Sequence, residues 1–328
     1  MKKETSFDNA LTVLEVLKQY TDENHHLTAT DIRRHTDISK TETVTNILAR
    51  LGAMDFAEFS VELTHEPPQR PGFYLARTLG LAQAVMLVNL VQSTASLSRQ
   101  HSADMIHTIR NMLSLPQRRL LDERILFSGT TFKTPNYATL LNIEIIIEAF
   151  MAGVRVQFCY LRYNNQKQLE EKGHPREVVP YFIVHNEGSA YLLAREGPTI
   201  KTFRLDKITN ISLSATPLTP EEKAAIATFD VAEQLNKSVY MYIGNAPDNI
   251  ELRCNGKQGI HSAIIERFPH AIIEGDPQGI FTAHIRAQAN GIIYWALQYA
   301  TACEIISPPH IREQVRTMLQ EAAEKYKD

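Results

Sequence analysis

Apolar positions repeat with helical spacing at the start of the chain. Ala10, Val13, Leu14 and Leu17 stand at i, i+3, i+4 and i+7, which predicts an amphipathic helix. After the polar stretch 21–26, Thr28 reads as the N-cap of a short helix through about His35. Ser39 and Glu42 have capping-box spacing, so a third helix is expected to start there. Val44, Ile47, Leu48 and Leu51 form its inner stripe, and Gly52 is expected to stop it. Thr43, Thr45, Asn46, Ala49 and Arg50 then face outward. The period next drops to two. Phe59, Val61 and Leu63 share one face of a strand over 58–63, and a second strand covers 73–75. The proline-rich loop 65–72 between them cannot be strand.

From 79 to 151 the pattern is helical again. Residues 79–91 are broadly apolar, and Met105, Ile109, Met112 and Leu113 form a second stripe that Pro116 is expected to end. A short piece over 120–127 and a polar connector over 128–137 follow. Leu140, Ile143, Ile147 and Phe150 predict the buried stripe of one more helix. These helices are long enough to hold the ends of the protein apart or to pair between subunits.

After Gly153 the period returns to two. Val154, Val156, Phe158 and Tyr160 share one strand face, and 164–173 reads as a hairpin tip. Strand signals at 177–179 and 181–185 flank Pro180, and Asn186-Glu187-Gly188 makes a turn. Two further strands meet at Glu196-Gly197-Pro198. The first puts Tyr191, Leu193 and Arg195 on one face and Ala190, Leu192 and Ala194 on the other. The second, 200–205, puts Thr202 and Arg204 opposite Lys201, Phe203 and Leu205. Five short strands after a helix predict a small, strongly bent barrel. In the last third, strands at 239–243, at Ile250, Leu252 and Cys254, and at 271–274, 280–287 and 304–306 alternate with helices. Those helices start at Pro220 and cover 261–268, with Ile264, Ile265 and Phe268 inward, then 292–300 and 309–325. This alternation predicts an α+β sandwich.

The expected fold is therefore multidomain α+β. Residues 1–77 form a helical domain with a hairpin wing, 78–151 a helical linker or dimerisation region, 152–216 the small barrel, and 217–328 the α+β extension. A length of 328 residues suits several domains. The net charge of −3 gives no whole-protein field toward nucleic acid or membrane, so any DNA contact must rest on a local basic surface. Cys159, Cys254 and Cys303 lack metal-type spacing and read as reduced core residues of a cytoplasmic protein. The polar start has no apolar signal region, and 79–91 is too short and polar to span a bilayer. No cofactor or metal site is expected, and no Gly-rich phosphate loop or nucleophile–base pair argues for an enzyme.

Three helices followed by a hairpin make the layout of a winged helix-turn-helix. Its third helix presents Thr41, Thr43, Thr45, Asn46 and Arg50 on the face for a major groove, while Arg33, Arg34, Lys40, Arg50 and Arg70 suit phosphates. The segment also carries Asp31, Asp37, Glu42, Asp55, Glu58 and Glu62, so a helical domain for protein contacts is the competing reading.

The barrel residues carry a resemblance. Val156-Gln157-Phe158-Cys159-Tyr160, Arg176 with Pro180, Ala190-Tyr191-Leu192 and above all Thr202-Phe203-Arg204-Leu205-Asp206-Lys207-Ile208 resemble the bacterial WYL-domain transcriptional regulators. Ala190 stands where that family's signature has Trp. The resemblance implies a regulator with an Sm-like β-barrel that senses a nucleotide or nucleic-acid-like effector, and a C-terminal extension that helps dimerise. An arginine can grip a phosphate through two bonds and a tyrosine can stack on a base, which makes Tyr160, Tyr191, Arg195 and Arg204 the first candidates. Arg176, Arg162, His185 and Lys201 stand behind them. Tyr160 also fits a core position, and Arg204 also fits a brace paired with Asp206 or Glu196.

The sequence thus points to a homodimeric, ligand-responsive regulator on double-stranded operator DNA, with a nucleotide or oligonucleotide effector and no membrane partner. The alternative is an oligonucleotide-binding accessory protein that controls a partner enzyme. Fold resemblance does not separate the two.

Overall fold

The computed structural model describes residues 6–54, 59–64, 72–125, 132–243, 247–276 and 278–327. The chain divides into two compact units, Met1–Tyr137 and Ala138–Asp328.

The first unit opens with α1 (Ser6–Tyr20), α2 (Ala29–Arg34) and α3 (Thr41–Gly52). Val13, Val16 and Leu17 of α1 meet Ile32, Val44, Ile47, Leu48 and Leu51 in one core. Thr28 is the N-cap of α2 as expected, and it forms a full capping box with Asp31 that the sequence reading did not foresee. The box expected at Ser39 and Glu42 does not form. Lys40 is the N-cap of α3 and offers no side-chain cap. Gly52 is the last helical residue rather than the stop, and Ala53 takes the cap position. The hairpin β1 (Phe59–Thr64) and β2 (Gly72–Arg77) follows in antiparallel register, with Val61 opposite Leu75 and both buried in the same core. Most of the proline-rich loop falls outside the described residues.

Three more helices complete this unit: α4 (Leu81–Ser93), α5 (Arg99–Asn111) and α6 (Leu115–Arg124). Ala84, Val88, Leu113 and Leu121 form their shared core. Pro116 does not end α5, which stops at Asn111. It sits in the first turn of α6, where its missing N–H costs nothing. Ser114 caps α6, and its hydroxyl also bonds the buried carboxylate of Asp22 between α1 and α2. Arg77 donates to the carbonyls of Thr21 and Lys18, which ties β2 to the end of α1.

The second unit begins with α7 (Thr139–Ala152), ended by Gly153 in a left-handed conformation that glycine adopts freely. The stripe expected from Leu140, Ile143, Ile147 and Phe150 is not the buried one. Thr139, Asn142, Ile146 and Ala149 are buried, while Ile147 and Phe150 are exposed. The helix is apolar on most sides, so periodicity alone did not choose its inner face. Six strands follow: β3 (Val154–Tyr163), β4 (Leu169–Glu171), β5 (Arg176–Asn186), β6 (Ser189–Glu196), β7 (Thr199–Arg204) and β8 (Ile208–Pro217). Strand β3 pairs with β4, β5 and β8, and β5–β6–β7 continue the sheet. Register shifts in β3–β8 and at Pro180 in β5–β6 curl it into a half-barrel. The expected last strand stops at Arg204, because Leu205–Lys207 forms a 3-10 turn, and β8 is an additional strand.

Both faces of the curled sheet are covered. Phe158, Leu192, Ala194, Phe203 and Leu205 pack with Ile146 and Ala149 of α7. On the other side, Val179, Tyr181 and Leu193 pack with Met241 and with side chains of α8 (Pro220–Ala227) and α9 (Val231–Lys237). Asn142 fixes α7 to the 3-10 turn by donating to the carbonyls of Leu205 and Ile208 at 3.0 and 2.9 Å.

The last part is a four-stranded sheet backed by helices. Its elements are β9 (Asp248–Asn255), α10 (Ile260–Arg267), β10 (Ile272–Gly275), β11 (Ile280–Ala287), α11 (Ala289–Gln298), β12 (Cys303–Ser307) and α12 (Pro309–Glu324). The strand order is β10–β11–β9–β12. Ile250, Leu252, Phe281, Ala283 and Ile305 face Ile264, Ile292, Trp295 and Ile311 of the helices. Ile264 and Phe268 point inward as expected, but Ile265 is exposed. The strand expected at 239–243 is a turn in which Tyr240 and Met241 both have positive φ.

Candidate functional site

Strands β6 and β7 place Tyr191 opposite Arg204, Leu193 opposite Thr202 and Arg195 opposite Ile200. Directly opposed residues share a face, so the expected grouping of Tyr191, Arg195, Thr202 and Arg204 holds. Leu192 and Phe203 point to the other face, into the core under α7. Thr202 donates to the carbonyl of Met241 at 3.0 Å and anchors the segment that crosses this face.

Arg204 is the centre of the arrangement. Its Nε and Nη2 each lie 3.0 Å from an oxygen of Asp206, whose side chain is fully buried. Its backbone amide donates to the hydroxyl of Tyr160 at 3.2 Å. Burial disfavours the guanidinium charge, but the bond to Asp206 and its negative charge outweigh this and raise the pKa of Arg204. Burial pushes the Tyr160 and Tyr191 hydroxyls up as well, so both stay neutral at physiological pH.

Arg176 of β5 lies on the opposite face, directly across from Phe158 of β3. Its guanidinium carbon lies 5.6 Å from the centre of the Phe203 ring and 6.0 Å from that of Tyr160. Nη1 of Arg176 bonds both oxygens of Glu196, at 2.8 and 3.0 Å, and Lys201 bonds the same carboxylate. Burial pushes the Glu196 carboxyl up, but Lys201 and Arg176 together hold it below its ordinary value.

The other candidates stand apart. Arg195 donates to Glu222 at 2.6 Å, and Arg155 donates to the same oxygen at 2.9 Å. Arg195 is thus committed to a buried carboxylate at the start of α8. His185 is exposed on β5, opposite Ala190. Arg162 is exposed on β3 opposite Glu170, with no ion pair among the described residues. The structure therefore joins Tyr191 and Arg204 on one face, with the Tyr160 hydroxyl reaching the Arg204 amide, places Arg176 and Lys201 together at Glu196 on the opposite face, and leaves Arg195, His185 and Arg162 outside.

Lys207 was not singled out by sequence reasoning. Its ammonium lies 3.4 Å from the centre of the Tyr163 ring, and its Nζ is buried without a hydrogen-bond partner. Burial lowers its pKa. Its place directly after Asp206 was the available signal. Chemically, the cluster offers neutral phenols, aromatic faces and cations. The Nε–Nη2 edge of Arg204 is held by Asp206.

In the first unit, α3 turns Thr45, Asn46 and Arg50 outward, and all three are exposed. Thr41 and Thr43 are half-buried, and Lys40 is exposed at the N-cap. The Thr45 hydroxyl donates to the carbonyl of Thr41 at 3.1 Å. Arg34 is exposed but paired with Asp31 at 2.8 Å, and Arg33 is half-buried. Arg70 lies outside the described residues.

Residues 142–213 match the WYL domain, and residues 247–323 match the WCX domain. No curated protein matches the chain. Two solved structures are similar at low identity. One is proteasome accessory factor B/C (PafBC) of Arthrobacter aurescens, at 16% identity and a TM-score of 0.29, over 99% of this chain and 50% of that one. This chain thus spans half the length of that structure's chain. The other is a CRISPR Cas-related protein, at 13% identity and a TM-score of 0.40, over 98% of this chain and 84% of that one. Among the described residues no helix is long and apolar enough to cross a membrane. The curled sheet that carries Arg204 belongs to a WYL domain, and the four-stranded sheet after it to a WCX domain.

Proposed function

We propose that this protein is a homodimeric, ligand-responsive transcriptional regulator. In this reading α1–α3 with the β1–β2 hairpin act as a winged helix-turn-helix on operator DNA. The observation that carries the DNA-binding reading is the division of α3. Val44, Ile47, Leu48 and Leu51 are buried, while Thr45, Asn46 and Arg50 stay exposed. Short polar groups beside an arginine suit base edges and a nearby phosphate in a major groove.

The WYL domain is the sensor, and its effector is a nucleotide or short oligonucleotide. Tyr191 opposite Arg204, with the Tyr160 hydroxyl on the Arg204 amide, supports that reading, since aromatic faces stack on bases and guanidinium groups hold phosphates. Effector binding regulates DNA affinity only if the two DNA-binding states hold the effector with different affinity.

The test is selection of fragments from sheared genomic DNA by the full-length protein. An enriched duplex site with two-fold symmetry is expected, because a two-fold dimer mirrors a two-fold operator. Its binding should fall sharply in the Asn46→Ala/Arg50→Ala double variant. The absence of any enriched duplex would favour an oligonucleotide-binding accessory role. Unchanged binding by the double variant would remove α3 as the reading helix.

A further inference from the structure

Cys254 and Cys303 are separated by 49 positions in the sequence, yet their sulfurs lie 3.4 Å apart. Strands β9 and β12 pair them directly across the sheet. The neighbouring pair, Asn255 and Ala302, carries a ladder bond from the Asn255 amide to the Ala302 carbonyl at 2.8 Å. Ladder-bonded and unbonded pairs alternate along antiparallel strands. Cys254 and Cys303 therefore form an unbonded pair, the kind in which side chains approach most closely. Such a pair has a Cα separation of about 4.5 Å, at the short end of what a disulfide spans, about 4.4–6.8 Å.

We propose that Cys254 and Cys303 are a dithiol that peroxide oxidises to a cross-strand disulfide. The chemistry balances with one peroxide. One thiolate attacks a peroxide oxygen, the O–O bond breaks, and a sulfenic acid forms with loss of water. The second sulfur attacks the first, the S–O bond breaks, and a second water leaves as the S–S bond forms. Two thiols lose two protons and two electrons, and hydrogen peroxide takes them up to become two waters.

Both cysteines are buried in the core between sheet and helices; Cys254 lies on β9 against Phe281 of β11, and Cys303 lies on the edge strand β12. The S–H of one sulfur bonds the other, so the pair loses its first proton more readily than its second. A dithiol reductant exchanges with such a disulfide and should reopen it. Oxidation would clip β12, and the α12 helix that follows it, to β9.

The experiment treats the folded full-length protein with hydrogen peroxide, alkylates the remaining thiols without reduction, and maps the peptides by mass spectrometry. The expected product is a single linked peptide pair carrying Cys254 and Cys303, lighter by two hydrogens and reversed by dithiothreitol. Cys159, on β3 in the WYL domain, serves as the internal comparison and should remain alkylated or form only sulfenic acid. The Cys159→Ser variant should give the same cross-link. Full alkylation of both Cys254 and Cys303 after peroxide would overturn the proposal. So would oxidation of either one to sulfinic acid without the link.

Discussion

The guanidinium of Arg204 lies in line with the carboxylate of Asp206, with two parallel contacts of 3.0 Å onto a fully buried side chain. Paired planar groups of this kind give direction as well as energy. The pair sits where the 3-10 turn leaves β7, and Asn142 holds the same turn from α7. Arg204 is therefore a structural brace and a candidate ligand contact at once. Arg204→Ala should cost about 2–3 kcal/mol, less than the loss of a fully buried pair because Arg204 is partly exposed. Urea denaturation followed by circular dichroism measures it. Arg204→Lys keeps the charge but loses the parallel contacts, so it should recover only part of the loss. A cost near zero for Arg204→Ala would show that Asp206 does not depend on this partner.

Glu222 is the sharper case. It is buried, accepts from Arg155 and Arg195 through one oxygen, and bonds the Thr219 amide through the other in the capping box of α8. Glu222→Ala leaves two guanidinium groups facing a void and removes part of a helix cap. A loss on the order of 3–5 kcal/mol is expected. Arg195→Ala should cost clearly less, because Arg155 still faces the carboxylate. Equal costs for the two variants would contradict this account.

Acid sensitivity of the first unit should trace to Asp22. Burial pushes its carboxyl up, but hydrogen bonds from Ser114, His25 and the Asn24 amide, with the His25 charge, hold it below the ordinary carboxylate range. A carboxyl with a depressed native pKa holds its proton less tightly folded than unfolded. Its stabilisation is fully present above the unfolded value, about 3.9, and is lost as pH falls through the native one. Asp22→Asn should therefore lower stability at neutral pH and flatten the acid limb of the stability–pH curve. Helical circular dichroism suits this measurement, because the lone tryptophan, Trp295, reports the second unit. An unchanged acid limb would assign the sensitivity elsewhere.

If α3 reads DNA, Arg50 is a phosphate contact. Arg50→Ala should then weaken operator and non-operator duplexes alike, and make the slope of log affinity against log salt shallower by about one. Asn46→Ala should instead weaken discrimination between sequences with little change of slope. A salt slope that does not move in Arg50→Ala would place that side chain away from the backbone.

Local rules that depend on near neighbours were legible in the sequence. The N-cap at Thr28, the alternation in β6 and β7, and the inner stripe of α3 all follow from spacing, because each is set within a few residues. That Tyr191 and Arg204 share a face was decided by the register of the two strands. The inner face of α7 did not follow from spacing, because an almost uniformly apolar helix carries no periodic signal and the sheet beneath it makes the choice. Ser39 and Glu42 had the right spacing for a cap, but the chain enters α3 one residue later, at Lys40.

Pairing at a distance belonged to the tertiary structure alone. The sequence offered Asp206 or Glu196 as a partner for Arg204 and the fold chose Asp206, whereas only the fold committed Arg195 to Glu222 and Arg176 to Glu196. Charge partners separated by up to 27 positions leave no local pattern, since their meeting depends on strand register and on where α8 crosses the sheet. The same holds for Cys254 and Cys303, which look isolated in the sequence. Their contact exists because β12 returns to the edge of the sheet in register with β9.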